Sequence, residues 1–434
     1  MIRATLAVCA LIAAVAAAQE WRTMPVPSGR ELATLVADTC GDRALLFGGG
    51  FPGEYHNDAW LLSLDTAAGY RWHALDLTGA PPPRGGHASI YDQSHSRVLV
   101  FGGKDASGIR SDLWQLDVPT RTWSQVLPNG AWPAARAWFS GFYHPTRNSM
   151  IIFGGGDGGT GTRNDVWELD LDSLKWRQLS PSGTSPSGRS SYNAGLSIEQ
   201  NMLVIISGHN GYSIVDEEWG LDLTPGAETW VRLTTTGDRL GARCNAATAI
   251  DPATDRLVCF GGFDYPGYIR RHNDVRVLDI AARRWTRLYP GGDAPVARRC
   301  ATPLWDANNG NFIFFGGGTD NGYPGDLYYL NLDGLVMAIT EANDGKQPGR
   351  DDISLPAVTR IPLQGRATAG EPAERSLSIL DVSGRVVATP GVRSDGSFTW
   401  DGVDLSGRTA AAGTYFCRLR SGTDIVSRSF QLVR

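Results

Sequence analysis

Methionine is scarce, at five of 434 residues, and after residue 18 no run is long and apolar enough to span a bilayer, so no transmembrane segment is expected. Neither charge dominates: 40 Lys and Arg against 45 Asp and Glu leave a net charge of −5, with a pI near 5.8. Without a global basic field, nucleic acid is not an expected partner. Histidines are few, and none of His56, His87, His144, His209 and His272 stands at an HxH or HExxH spacing. Neither a metal nor another cofactor is therefore expected. The run Gly154-Gly155-Gly156-Asp157-Gly158-Gly159 lacks the Lys-Ser/Thr that a phosphate loop requires. No Ser/His/Asp constellation is recognisable, and no catalytic residue is assigned.

Cysteine is also sparse. Beyond residue 18 there are Cys40, Cys244, Cys259, Cys300 and Cys417, an odd number whose spacings fit no zinc pattern. They read as small buried hydrophobes. A disulfide is the alternative for Cys244, Cys259 and Cys300, which fall within neighbouring repeats.

Glycine (53) and tryptophan (14) are plentiful, which suits the tight turns and aromatic packing of all-β architectures. The length exceeds what one ordinary core holds, so a large domain and a smaller one are expected. The chain opens with Arg3, an apolar run from Leu6 to Ala14 and the small residues Ala16-Ala17-Ala18. That apolar stretch of about 15 residues is short of the roughly 20 that cross a membrane. Residues 1–18 are read as a signal peptide cut after Ala18, and the protein as secreted or at the cell surface. Cys9 lies inside this segment, too early for a lipoprotein signal.

The main pattern is internal repetition. Diglycines end short apolar runs at Leu45–Gly49, Val98–Gly103, Ile151–Gly155, Leu257–Gly262 and Ile313–Gly317, with a degenerate copy at Leu203–Gly208. An arginine stands 18 positions before the first residue of each pair: Arg30, Arg84, Arg136, Arg189, Arg243 and Arg298. Downstream, an acid precedes a mostly aromatic position by two: Asp58/Trp60, Asp112/Trp114, Asp165/Trp167, Glu217/Trp219, Asp274/Arg276 and Asp326/Tyr328. A further tryptophan follows in five copies, at Trp72, Trp123, Trp176, Trp230 and Trp285. Each unit reads as four antiparallel strands, a to d, which cannot bury both faces alone. Arranging the sheets radially covers each with its neighbour.

The diglycine after an apolar strand, the spaced aromatics and the period of 52 to 55 residues resemble the kelch family over roughly residues 20 to 333. The resemblance implies an all-β, six-bladed β-propeller over residues 19–333, with the a strands lining a central channel. Ser207-Gly208 and Arg276 depart from the motif. The sixth copy has no tryptophan after Leu332, whereas the chain begins with an orphan Trp21-Arg22-Thr23-Met24. The N-terminal strand is expected to complete the last blade and leave no open edge.

Residues 334–356 turn polar and read as a linker. Beyond it, strands are expected at Ser376–Asp381, Gly384–Val387, Ser397–Gly402 and Gly413–Leu419, with the spacing of a small β-sandwich. The order ILDVSGRVV, FTWDGVDLSGR, AAGTYFCRLRSG resembles the immunoglobulin-like domain of flagellar hook-capping proteins and the C-terminal sorting domains of bacterial type IX secretion substrates. That likeness implies an immunoglobulin-like sorting or accessory domain over residues 357–434, with the secretion machinery as a partner. The Asn-Pro that usually opens such sorting domains is missing.

Alternating strand direction places the b–c loops on one face with the starts of strands a and c. Length varies in those loops, from ten to thirteen residues between first glycine position and acid, and variable loops on a rigid scaffold carry binding. The candidate ligand-binding residues are Tyr55, Arg110, Arg163, Tyr212, Tyr265, Tyr268, Arg270, Arg271 and Tyr323. Aromatics beside arginines suit glycans or peptides. The six repeat arginines should ring the channel mouth. In kelch adaptors such arginines meet acidic peptides; alternatively, pairing with the repeat acids accounts for both series structurally. A non-catalytic module binding an extracellular glycan, peptide or protein is expected. The resemblance also admits a propeller enzyme, a sialic acid mutarotase or a galactose oxidase-like copper radical oxidase.

Overall fold

A computed structural model describes residues 20–25, 28–38, 42–65, 69–265, 267–292 and 294–332, with strand segments between 353 and 432. The leader expected at 1–18, Cys40, and the expected linker apart from Ile353–Ser354 lie outside the described residues.

Runs such as Arg97–Phe101 are β-branched and aromatic-rich, and Val98 to Phe101 are fully buried on both faces, as suits an inner strand covered from two sides. Blade 1 pairs Thr34–Asp38, Arg43–Phe47, Ala59–Ser63 and Arg71–Ala74 in that order. Four more antiparallel sheets of the same order follow, ending at Arg284–Leu288 in blade 5. Blade 6 takes Thr302–Asp306, Asn311–Phe315 and Asp326–Asn331 from the end of the repeat region. Its fourth strand is Glu20–Pro25, with Arg22 opposite Tyr329 and Pro25 opposite Asp326. The first described strand thus closes the ring, and the a strands of neighbouring blades lie side by side around the axis.

The second tryptophan of each repeat is inter-blade packing. Trp123 meets Phe47 at 4.8 Å between ring centroids, Trp176 meets Phe101 at 4.9 Å, and Trp230 meets Phe153 at 5.2 Å. Across the seam, Trp72 meets Phe315 of blade 6 at 5.4 Å. In these four blades strand d therefore buries its indole on strand b of the preceding blade, which covers the face a lone sheet would leave wet.

The diglycine is also an inter-blade device. Gly102 and Gly103 have φ of +67° and +93°, and a Cβ at Gly102 would stand 2.7 Å from the Arg136 carbonyl oxygen. The Gly103 amide donates to that same carbonyl at 2.9 Å. Blade 4 solves the problem differently. In most blades the arginine amide donates directly to the carbonyl two residues before its neighbour's acid, as Arg136 does to Arg110 at 3.0 Å. At the degenerate copy the Ser207 hydroxyl bridges the gap, accepting from the Arg243 amide at 2.6 Å and donating to the Val215 carbonyl at 2.6 Å. Ser207→Gly would relieve a left-handed φ of 58°, worth about 1 kcal/mol. It would also leave a buried amide and carbonyl without their bridge, costing roughly 1–3 kcal/mol. Restoring the diglycine is thus expected to destabilise the protein in urea unfolding; a rise in midpoint would show that the relay contributes nothing.

His87, on the entry to strand a of blade 2, gives a pH dependence. It is buried, with Nε2 2.9 Å from the Thr34 hydroxyl of blade 1. Burial first, and then the Arg84 charge, push its pKa from 6.5 down to about 3. Between those values the unfolded chain holds the extra proton, so stability present above pH 6.5 is lost progressively as pH falls toward 3. By pH 4 the loss from this residue is about 3 kcal/mol. His87→Asn should flatten that limb of a pH-dependent unfolding series, and an unchanged slope would refute the assignment.

The region from Gly334 onward groups apart from the propeller as a compact unit. Its described strands form a three-stranded sheet (Ile353–Ser354, Leu363–Ala367, Ser397–Trp400) and a five-stranded one. The latter includes Arg375–Asp381 and a long hairpin of Gly413–Ser421 with Asp424–Leu432. Leu377, Ile379, Phe398, Trp400, Tyr415 and Cys417 bury into one cluster. The strands Leu363–Ala367 and Asp424–Leu432 add to those expected from sequence. Cys244, Cys259, Cys300 and Cys417 are free thiols.

Candidate binding face at the channel mouth

The six repeat arginines are buried and paired with the repeat acids. Arg84 is buried, donates through Nη1 to the Gly102 carbonyl at 3.0 Å, and grips Asp112 with Nη1 and Nη2 at 2.6 and 2.9 Å. Trp114 Nε1 donates to the same carboxylate at 2.7 Å. The arrangement recurs as Arg30–Asp58–Trp60, Arg136–Asp165–Trp167 and Arg189–Glu217–Trp219. Arg243 holds Asp274, which also accepts from Arg276 Nε at 2.6 Å, so Arg276 stands in for the tryptophan. Arg298 holds Asp326 and lies over the Tyr328 ring. Burial alone would raise the carboxyl pKa values, but the arginine hydrogen bonds and charge outweigh it and hold Asp58, Asp112, Asp165, Glu217 and Asp274 below their ordinary values. The bond from each arginine to the carbonyl of the first glycine position, or of Ser207, is the physical origin of the 18-residue spacing.

One residue beyond each arginine, the chain pairs with the residue after the diglycine: Glu31 with Gly50, Gly85 with Lys104, and so on to Arg299 with Gly318. Two residues beyond, Leu32, Gly86, Trp138, Ser191, Asn245 and Cys300 all have φ between 51° and 65°. Their amides and carbonyls form a closed belt: Gly86 donates to Leu32, Trp138 to Gly86, Ser191 to Trp138, Asn245 to Ser191, Cys300 to Asn245, and Leu32 to Cys300. Sequence reading missed this belt, because six unlike side chains share one backbone conformation. Only the register set by the arginines could have exposed it.

The mouth is chemically uneven. Glu31 is buried, with Oε2 3.3 Å from Arg299 Nε, and Arg299 lies over the Phe263 ring. Burial raises the Glu31 pKa although the Arg299 charge opposes it, and the adjacent Cys300 thiol is pushed well above its ordinary value, chiefly by burial. Lys104 stands over Trp138 on another side.

Outside the belt, the b–c loops brace one another. Tyr323 of blade 6 stacks on Phe51 of blade 1 at 5.4 Å, and Arg271 of blade 5 pairs with Asp320 of blade 6. Arg110 pairs with Asp105 inside its own hairpin, Arg163 Nη2 donates to the Ala135 carbonyl, and Tyr55 packs beside Gly85. These five of the nine candidate residues therefore make internal contacts. Arg270 is exposed but paired with Asp264. Tyr212, Tyr265 and Tyr268 are 90%, 62% and 63% exposed, the most exposed tyrosines among the described residues. All three stand on the loops of blades 4 and 5.

A closed ring of six four-stranded sheets, pinned by Arg–carboxylate nodes and open to solvent at its loop face, is the architecture of a β-propeller. The chain belongs to the kelch-repeat family: the KLHDC2/KLHL20/DRC7 Kelch-repeats domain matches residues 33–227 and 213–361. It is similar to the dynein alpha chain, flagellar outer arm, of Chlamydomonas reinhardtii, at 29% identity over 314 residues (68% of this chain, 7% of the relative). It is also similar to the leucine-zipper-like transcriptional regulator 1 homolog of Drosophila melanogaster, at 28% over 272 residues (58% and 26%). Adagio-like protein 1 of Oryza sativa subsp. japonica matches at 31% over 174 residues (38% and 27%). The chain thus spans less than a third of each of these curated relatives. The solved structure of YjhT shares the fold, with a TM-score of 0.57, 15% identity, and coverage of 72% of this chain and 97% of that one.

Proposed function

We propose that this kelch propeller is exported and binds an extracellular glycan, peptide or protein through the loops of blades 4 and 5. The observation that carries the reading is the exposure of Tyr212, Tyr265 and Tyr268 on a rim where the other candidate side chains make internal contacts. Exposed tyrosines offer rigid apolar area with a polar tip, at small entropic cost to the bound state. The named relatives include a flagellar dynein and a transcriptional regulator homolog, proteins with little chemistry in common, which favours a shared binding scaffold. The C-terminal unit is proposed as the sorting or surface-attachment module, an immunoglobulin-like domain in keeping with its sequence likeness. Changing Tyr212, Tyr265 and Tyr268 together to Ser should abolish binding on glycan and peptide arrays, at least tenfold in affinity, with the unfolding midpoint unchanged. Full binding by the triple variant would move the site elsewhere.

One observation favours a second, enzymatic reading. Glu31 is a buried carboxyl at the mouth whose pKa is raised by burial against the opposing Arg299 charge, the direction that favours a proton-transfer role. A sugar mutarotase is the reaction class proposed for it, tested by anomer conversion with the wild type and Glu31→Gln. Among the described residues no three His, Cys, Asp or Glu converge as metal ligands.

A further inference from the structure

The outer edges of four blades are covered by the chain itself. In these four, the connection that follows strand d of the preceding blade runs back along the outer edge and pairs with it in parallel. Thr78 pairs with Thr122 of blade 2, Ser182 with Thr229 of blade 4, Thr236–Gly237 with Arg284–Trp285 of blade 5, and Gly291–Gly292 with Glu20–Trp21 of blade 6. The hydrogen bonds are specific. Thr78, Ser182 and Thr236 donate their amides to the carbonyls of Arg121, Glu228 and Arg283, at 3.2, 2.8 and 3.0 Å. The indole-bearing residue that follows answers: Trp123 donates to the Thr78 carbonyl and Trp230 to the Ser182 carbonyl, both at 2.9 Å. The next residue is glycine because the segment crosses so closely: a Cβ at Gly79, Gly183 or Gly237 would lie 2.8, 2.5 or 2.2 Å from the carbonyl oxygen of Trp123, Trp230 or Trp285.

Blade 3 breaks the pattern. Its entering connection has the same length and the same glycine, Gly130, seven residues after Trp123. Yet a Cβ at Gly130 would meet nothing within 4 Å, and Leu127 is 73% exposed. Two residues account for this. Asn129 replaces the Ser, Thr or Gly of the pairing position. Trp132 fills the space beneath, near Phe101 and Trp176, with its Nε1 donating to the Ser111 carbonyl at 2.5 Å; the other connections carry Pro81, Ser185, Arg239 or Ala294 there. The outer edge of strand Lys175–Leu179 is left without a strand partner among the described residues. It keeps the docking geometry, because Leu174 shares the left-handed backbone (φ 53°) of Arg121 and Arg283, whose carbonyls accept the covering segments.

We propose that the outer edge of blade 3 is a second interaction site, which receives an extended segment of a partner protein carrying a Thr-Gly or Ser-Gly pair, added in parallel as a fifth strand. The occupant is read from the three places, Thr78-Gly79, Ser182-Gly183 and Thr236-Gly237, where this molecule fills the same position with such a pair. Its Thr or Ser amide donates to the Leu174 carbonyl, its carbonyl accepts from the Trp176 amide, and its glycine permits the crossing. Leu127 offers an apolar neighbour at the entrance. This is strand addition, in which the main chain supplies affinity and a small-residue requirement supplies selectivity. The site is separate from the loop face, so it stands or falls independently of the tyrosine reading.

The probe is a fluorescein-labelled synthetic peptide copying residues 231–240, titrated into the full-length protein by anisotropy, with hydrogen exchange of the Trp176 amide followed in parallel. Saturable binding with at least tenfold slower exchange of that amide is expected. The same peptide N-methylated at its Thr236 equivalent should bind at least tenfold more weakly. The variant Asn129→Thr with Trp132→Ala, which lets the native connection settle onto the edge, should lose peptide binding. Should that variant fail to fold, the N-methylated peptide still decides the matter. Absence of saturation at millimolar peptide, equal binding of the N-methylated form, a Trp176 amide already protected by residues 127–131, or concentration-dependent dimerisation that competes with the peptide would each overturn the proposal.

Discussion

Deleting residues 1–25 is expected to destroy the cooperative unfolding of the propeller. That segment supplies the fourth strand of blade 6, pairing with Asp326–Asn331 on one side and with Gly291–Gly292 on the other. Without it blade 6 ends at a bare edge and the ring loses the hydrogen-bonded strand overlap that joins the two ends of the repeat region. Loss of a whole strand exceeds the effect of ordinary point substitutions, so a cost above about 5 kcal/mol is expected, comparable with the whole stability of many domains. The exposed edge should also drive association. Calorimetry and size-exclusion of the truncated protein check this; a monomer melting at the wild-type temperature would contradict it.

The second large effect concerns the arginine nodes. Arg84→Met removes a buried guanidinium from the Gly102 carbonyl and from Asp112. The carboxylate is then left partly buried with Trp114 as its remaining side-chain donor. Breaking one partner of a buried ion pair costs about 3–5 kcal/mol, which for a propeller of this size lowers the melting temperature by roughly 5–8 °C. Arg270→Ala is the contrast: its pair with Asp264 is exposed, and almost no change in melting temperature is expected. Equal melting shifts for the two variants would show that the nodes are no stronger than surface pairs. Adding Asp112→Leu to Arg84→Met should recover part of the loss, because the unpaired charge is the main penalty.

The architecture was readable because its spacing is a hydrogen-bond length in disguise. Eighteen residues separate Arg84 from Gly102 because the side chain of one must reach the carbonyl of the other across a hairpin of invariant length. The acid offset is looser, 28 residues for Asp112 but 31 for Asp274, because a b–c loop intervenes. The closing strand could be inferred from a missing tryptophan at one end and an orphan Trp21 at the other. The covering segments were equally visible as a glycine seven residues after Trp72, Trp123, Trp176, Trp230 and Trp285, yet their meaning depends on pairing between blades. Which loop residues face solvent was not readable. Tyr323 and Tyr212 look alike in sequence, but one stacks on Phe51 and the other projects into water. That difference arises from how adjacent hairpins lean on each other, which no local pattern encodes.

The belt of six amides at the mouth separates aperture from chemistry. Its circumference is determined by peptide geometry alone, so the opening keeps its size whichever side chains hang from it, subject only to their tolerance of a left-handed backbone. Leu32, Trp138 and Cys300 already occupy places where Gly86 and Asn245 sit with less strain. Evolution, or an engineer, can therefore repaint the rim of this pore one blade at a time without resizing it.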